Sequence, residues 1–232
     1  MNYIRRAAER GKANFGWLDS KHSFSFGHYY DPQHMGVSVL RVINDDTVAP
    51  GHGFEQHGHK DMEIISYVTQ GALKHQDSTG NNYVVPAGDI QRMSAGRGVL
   101  HSEYNASDTE EVKFLQIWIM PEKKGIAPDY EQKSITQTET LTPLVNPQGT
   151  QGALSINQQA SIFRLVLNKD EAFTLSPQEQ AGYLHIIKGR LSVKDRTFDV
   201  GDAFSIEACE DQQISSLSDN FEALWFTLPA SR

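Results

Sequence analysis

The stretch Gly51-His52-Gly53-Phe54-Glu55-Gln56-His57-Gly58-His59-Lys60-Asp61-Met62-Glu63-Ile64-Ile65-Ser66-Tyr67-Val68-Thr69-Gln70-Gly71 sets the reading of the whole chain. Its second part, from Ile64 to Thr69, is an apolar, β-prone run closed by a turn glycine. Its first part carries two histidines one residue apart. In an extended strand alternate side chains share a face, so His57 and His59 project together, their Cα atoms about 7 Å apart, and both imidazoles can converge on one ion. Working outward, similar short runs occupy Val37 to Ile43, Tyr83 to Val85, Val112 to Ile119, Ile162 to Leu167, Tyr183 to Lys188, Leu191 to Lys194 and Glu222 to Leu228. Turn signals such as Ala49-Pro50-Gly51, Pro86-Ala87-Gly88-Asp89 and Val200-Gly201-Asp202 separate them. Many short strands at close spacing predict an all-β sandwich or barrel. Helical periodicity is scarce: one short helix is expected near Ser176 to Gln180, with Ser176 as its cap and Pro177 in its first turn.

Between Pro121 and Thr150 the chain turns polar and is punctuated by Pro121, Pro128, Pro143 and Pro147, which reads as a connection between two β units. The units echo one another. Glu63 to Gly71 and Tyr183 to Gly189 are each a strand closed by glycine, and Gly88-Asp89 is matched by Gly201-Asp202. The expected organisation is a first domain over 1–130, a linker over 131–150 and a second domain over 151–232.

Composition narrows the function. With 29 Asp plus Glu against 21 Lys plus Arg, the net charge of -8 offers no general attraction to phosphates, so direct nucleic-acid binding is not expected. The single cysteine, Cys209, excludes an intramolecular disulfide and a thiolate metal cluster. No run approaches the roughly 20 apolar residues of a membrane span, and the opening Met-Asn-Tyr-Ile-Arg-Arg leads into polar sequence; a cytoplasmic protein with no membrane partner is expected. Eight of nine histidines, at 22, 28, 34, 52, 57, 59, 75 and 101, lie in the first 101 residues, and only His185 lies beyond. Imidazole is the commonest metal ligand, so the chemistry belongs to the first half.

A second segment, Met93-Ser94-Ala95-Gly96-Arg97-Gly98-Val99-Leu100-His101-Ser102-Glu103-Tyr104-Asn105, places His101 and Glu103 on one strand face. Three histidines and a carboxylate from two neighbouring strands can hold a divalent first-row metal with positions left open. Parity alone allows two carboxylates. Glu63 shares the parity of His57 and His59 and joins them if the strand runs on without a bulge; Glu103 shares that of His101.

These motifs carry a resemblance. Gly51-x5-His57-x-His59-x3-Glu63-x7-Gly71, then Gly80-x5-Pro86-x-Gly88-Asp89 and His101-x3-Asn105, resembles the paired motifs of the cupin superfamily. Trp17-Leu18, His22-Ser23-Phe24-Ser25-Phe26-Gly27-His28-Tyr29-Tyr30-Asp31-Pro32, His59-Lys60-Asp61-Met62-Glu63, His75-Gln76-Asp77-Ser78 and Met93 to Glu103 resemble the pirin family in order and spacing. The match is dense over about residues 1–130 and only architectural beyond.

The resemblance implies a bicupin of two jelly-roll β-barrels with few short helices, the first holding one metal on His57, His59, His101 and Glu103. Glu63 is then left to a supporting or structural role, and the second barrel, where His185 stands without a partner motif, to no metal. The implied metal is iron(II), with manganese, zinc or another first-row divalent ion as alternatives. The implied activity is a quercetin 2,3-dioxygenase-like oxidoreductase, cleaving quercetin or a related flavonol or aromatic with O2 and releasing carbon monoxide, with Glu103 also catalytic. The alternative is a non-enzymatic, metal-dependent or redox-sensing regulator that binds protein partners; a monomer is expected. Phe24, Phe26, Tyr29 and Tyr30 are candidate pocket-mouth aromatics that also suit packing. His22, His28 and His75 read as supporting or surface residues, and Asn105 as a loop-fixing one.

Overall fold

The computed structural model describes Met1 and residues 3–230. Its strands form four sheets. A seven-stranded sheet runs in the order Asp129–Ser134, Asp89–Ser94, Glu63–Gln70, Val112–Ile119, Leu40–Val48, Leu18–His22 and Gly11–Asn14. Against it packs a four-stranded sheet of Gly53–His59, Val99–Asn105, Ala72–Asp77 and Asn82–Pro86. The second half repeats the scheme. Its seven-stranded sheet is Ile4–Arg5, Ala203–Ile206, Ala181–Lys188, Phe221–Leu228, Ser161–Leu167, Leu141–Asn146 and Leu154–Ser155, and its four-stranded sheet is Ala172–Leu175, Gln212–Ser216, Leu191–Val193 and Arg196–Phe198. The all-β, two-barrel architecture follows, and no helix among the described residues is long and apolar enough to cross a membrane.

Of the four cores among the described residues, three hold most of the layers together. Val48, Val68, Val112 and Phe114 of the first large sheet meet Leu73 and Val85 of its small sheet. Leu184, Phe204, Phe221 and Trp225 meet Leu191, Phe198 and Ile214 in the second half. The most extensive core lies between the two large sheets, where Ile65, Leu115, Ile117 and Ile119 pack against Leu144, Ile162, Leu224 and Phe226. The central large-sheet strands are therefore buried on both faces, which accounts for unbroken buried runs such as those of Ile64 to Val68 and Ala223 to Phe226.

The segment 131–150, expected as a connection, is half strand. It contains most of the strand Asp129–Ser134, which pairs with Asp89–Ser94, and all of Leu141–Asn146, which pairs with Ser161–Leu167. The first is polar because it is an edge strand, clamped by Arg92, whose guanidinium reaches Asp129 at 2.8 Å and Glu131 at 3.1 Å. The second tolerates Pro143 because the register shifts between Pro143 and Val145. Nor does the first unit close on its own residues: Ile4–Arg5 pairs with Ala203–Ile206, and Arg6 meets Asp202 at 2.7 Å. The helix expected near Ser176 to Gln180 is a turn. Gln178 has φ 56°, which no α-helix accommodates, and the N–H of Gln180 donates to the carbonyl of Pro177 at 3.1 Å. The one helical element among the described residues is the 3-10 turn Ala7–Glu9.

Candidate metal centre

The first barrel brings three imidazoles together. His57 and His101 are direct cross-strand partners on Gly53–His59 and Val99–Asn105, and His59 follows His57 on the same face. Ring centroids lie 4.5 Å apart for His57 and His101, and 4.8 Å apart for the other two pairs. Gly53 makes this strand pair possible, because a Cβ there would collide with the backbone of Glu103 and Tyr104. The pairing shifts register between His101 and Glu103, a bulge that separates the two side chains' surroundings.

The donor atoms fit a metal. His57 Nδ1 donates to the carbonyl of Glu55 at 2.7 Å, leaving the lone pair on Nε2. That Nε2 stands 3.1 Å from Nε2 of His101, close to the spacing of two nitrogens each about 2.1 Å from one ion at a right angle. Burial, then the neighbouring His101 and His57, lowers the pKa of His59 to about 4, against a smaller opposing pull from Glu103. Burial, then His57 and His75, lowers that of His101 to about 3, against Asp77. Both rings stay neutral at ordinary pH, the form in which imidazole binds metal.

Glu103 is 2% exposed and tightly held. Oε1 accepts from Ser66 Oγ at 3.0 Å and Gln91 Nε2 at 2.8 Å, and Oε2 from Gln116 Nε2 at 2.7 Å. It lines the same cavity as the three histidines. Its closest ligand-type neighbours, however, are His101 and His75, whose donor atoms and its own lie within 4.8 Å of one another. The three histidines thus converge, and Glu103 joins them through His101.

Glu63 is elsewhere. Asp61, at φ 51°, turns the chain between Gly53–His59 and Glu63–Gln70, so the strand does not run on and Glu63 enters the large sheet. Fully buried there, it accepts from Ser94 Oγ at 2.9 Å and from the backbone N–H of Asn157 at 3.3 Å, tying the two halves together.

His75, read from sequence as a supporting or surface residue, is fully buried and lies directly across from Glu103 in the ladder. Its Nε2 is 3.0 Å from Asp77 Oδ2, and its Nδ1 has no partner in the chain. Although burial acts to raise the Asp77 pKa, hydrogen bonds from His75, Thr79 and Asn81 hold it well below the usual carboxylate range. Only cross-strand register reveals this pair; the motif His75-x-Asp77 was its one trace in the sequence.

Above the histidines opens a cavity of about 480 Å³. Phe26 and Trp118 meet edge to face at 5.3 Å in its wall, and Tyr29, Phe54 and Leu18 add apolar surface. Of the four aromatics singled out in the sequence, Phe26 and Tyr29 line it, Phe24 is buried against Tyr183 in the core between the large sheets, and Tyr30 is exposed. His22 also lines it, together with Asn44, Asp46 and Gln116, which sequence reasoning did not single out. Asn105 does fix a loop: its Nδ2 donates to the carbonyls of Val48 and Glu110 at 3.0 and 2.7 Å. No cluster of three metal-ligand side chains occurs in the second half among the described residues.

Residues 4–119 match the pirin family model, and 144–228 match that of the quercetinase C-terminal cupin domain. The chain is 46% identical over 231 residues, 99% of each chain, to quercetin 2,3-dioxygenase of Escherichia coli strain K12. It superimposes on the crystal structure of YhhW from Escherichia coli with TM-score 0.95 and 44% identity, covering 99% of this chain and 98% of the other. The structure of bacterial pirin YhhW in complex with nickel(II) is similar too, with TM-score 0.94, 44% identity and 99% of each chain covered. A quercetin 2,3-dioxygenase of Acinetobacter baumannii, at 20% identity and TM-score 0.77 over 98% of this chain and 86% of that one, shares the fold. With dense agreement along its full length and the histidine triad in place, the chain belongs to the pirin family.

Proposed function

We propose that this protein is a metal-dependent dioxygenase that cleaves quercetin or a related flavonol with O2 and releases carbon monoxide, using one divalent ion held by His57, His59, His101 and Glu103. The observation that carries the reading is the convergence of three imidazoles, with a buried carboxylate beside one of them, His101, in the lining of an aromatic-walled cavity. Relatives of the same length carry the name quercetin 2,3-dioxygenase, and the nickel complex of YhhW supports a metal at such a site. Iron(II) is the proposed ion.

When bound, the metal supplies a Lewis acid that acidifies the flavonol 3-hydroxyl. The chain does the rest. His57, kept in one tautomer by the Glu55 carbonyl, presents Nε2, and His59 and His101 present uncharged rings. Phe26, Trp118 and Phe54 take the flat rings of the substrate and keep water from the reacting carbons. Glu103 accepts the 3-hydroxyl proton on a carboxylate oxygen, its position fixed by Ser66, Gln91 and Gln116.

The test is quercetin turnover by metal-analysed protein in air and under nitrogen, with detection of carbon monoxide. Turnover that needs O2, the metal, His57 and His101 supports the reading. Equal loss of quercetin with metal-stripped protein overturns it, and a metal-dependent regulator becomes the better account.

A further inference from the structure

Five strands of the first large sheet carry one continuous polar row on the face that looks into the barrel. Gln91 pairs with Ser66, Ser66 with Gln116, Gln116 with Asn44, and Asn44 with His22. Each of the five is buried. A row of buried polar side chains is costly unless each finds a partner. The first three spend their hydrogen bonds on Glu103. The last two do not: Asn44 Oδ1 and His22 Nδ1 have no partner in the chain. One step along the same strands, Ser20 pairs with Asp46, whose Oδ1 is also left without a partner although Ser20 hydrogen-bonds the carboxyl. Asn44, Asp46 and His22 are 3%, 3% and 4% exposed, and all three line the cavity that the metal-ligand histidines line from the opposite sheet.

The geometry points to a second, metal-distal subsite at Asn44, Asp46 and His22 that accepts hydrogen bonds from hydroxyl groups on an aromatic ligand, a reading that rests on the proposed small-molecule function. The atoms decide the ligand chemistry. Asn44 Oδ1 is an acceptor at any pH and the Asp46 carboxyl retains an acceptor oxygen whether or not it carries a proton, so O–H donors are complementary. A carboxylate or phosphate on the ligand would meet Asn44 Oδ1 with no proton between them and, above about pH 7, the Asp46 carboxylate as well, and is disfavoured. The intervening wall of Phe26 and Trp118 suits flat rings, so a polyhydroxylated aromatic fits and an aliphatic acid does not. The same polar row therefore serves both ends of the site. One end holds the carboxylate beside the metal, and the other grips the far hydroxyls of the ligand.

The experiment compares two flavonols on nickel-loaded, full-length protein without O2, with binding followed by quenching of tryptophan fluorescence. Quercetin carries hydroxyls beyond the 3-position; 3-hydroxyflavone carries only the metal-directed one. Two hydrogen bonds to otherwise unpartnered acceptors give wild-type protein a preference for quercetin of about tenfold or more. Asn44→Leu, close in volume but without an acceptor, brings that preference below about threefold, and Asn44→Asp, which keeps one, restores it. Should Asn44→Leu lose its melting transition or its nickel, Asp46→Leu provides the same comparison. Binding of both flavonols with a ratio that neither substitution changes overturns the subsite. Binding of neither flavonol to nickel-loaded wild-type protein overturns the proposed function itself, and the subsite with it.

Discussion

His57 and His101 are direct partners across two antiparallel strands, and their Nε2 atoms stand 3.1 Å apart. With Nδ1 of His57 donating to the Glu55 carbonyl, its Nε2 offers a lone pair, which the His101 ring meets either with an N–H or, with its proton on Nδ1, with a second lone pair that a shared cation would satisfy. Replacing His101 with Ala should remove both a ligand and the group that links Glu103 to the other histidines. Metal content measured by mass spectrometry is expected to fall from near one per chain to a small fraction.

The two carboxylates separate cleanly. Glu103→Gln keeps size but loses the anion beside the histidines, and metal affinity is expected to drop by about 10- to 100-fold, with turnover lost. Glu63→Gln keeps the metal. It weakens the contacts to Ser94 and Asn157 between the two halves and is expected to lower the melting temperature instead. Titration of both variants with a coloured metal indicator checks this; retained affinity in Glu103→Gln alone would reverse the assignment.

In metal-free protein, His59 and His101 have folded pKa values lowered to about 4 and about 3. Below an unfolded value of about 6.5 the unfolded chain binds protons that the folded chain refuses, so stability falls as pH drops. For His101 the loss at pH 5 is on the order of 2 kcal/mol. Urea unfolding at pH 7 and pH 5 measures it, and His101→Phe should lose less stability over the same interval.

Asp46 works in the opposite direction. Burial, opposed by the Ser20 hydrogen bond and assisted by the charges of Asp45, Glu103 and Asp19, raises its pKa to about 7. The folded state keeps a proton that the unfolded state loses above about 4, so stability declines as pH rises from about 4 to about 7. Asp46→Asn removes that cost. At pH 8 it should stabilise the protein by on the order of 3 kcal/mol, and at pH 4 by little. Equal melting curves at both pH values would mean that the carboxyl ionises without penalty.

Division of the chain between residues 134 and 141 should give two fragments that do not fold alone. Ile65, Ile117, Leu224 and Phe226, none of them solvent-exposed, face one another across the cut, and burial of each is worth about 1.5–3 kcal/mol. Tyr67 also donates to Glu222 at 2.7 Å across this interface. Circular dichroism of each fragment, then of the mixture, checks the expectation: structure should return only on mixing.

Period-two patterning and turn residues were enough to read a β protein built of two related halves and the placing of His57 with His59 and of His101 with Glu103 on strand faces; the family came from the resemblance of the quoted motifs. These features are local: a strand's alternation and a turn's glycine are written in adjacent residues. What a strand meets is not. The left-handed Asp61 moves Glu63 into another sheet, although parity alone had left it level with Glu103 as a candidate ligand. The edge position of Asp129–Ser134 lets a strand be polar and pass for a linker, and a register shift lets Leu141–Asn146 contain a proline. Cross-strand register alone sets His75 opposite Glu103 and aligns Gln91, Ser66, Gln116, Asn44 and His22 in one row. Those partners lie as far as 94 residues apart in the chain, His22 and Gln116 at the extremes, and only the pairing of five strands brings them to a common face.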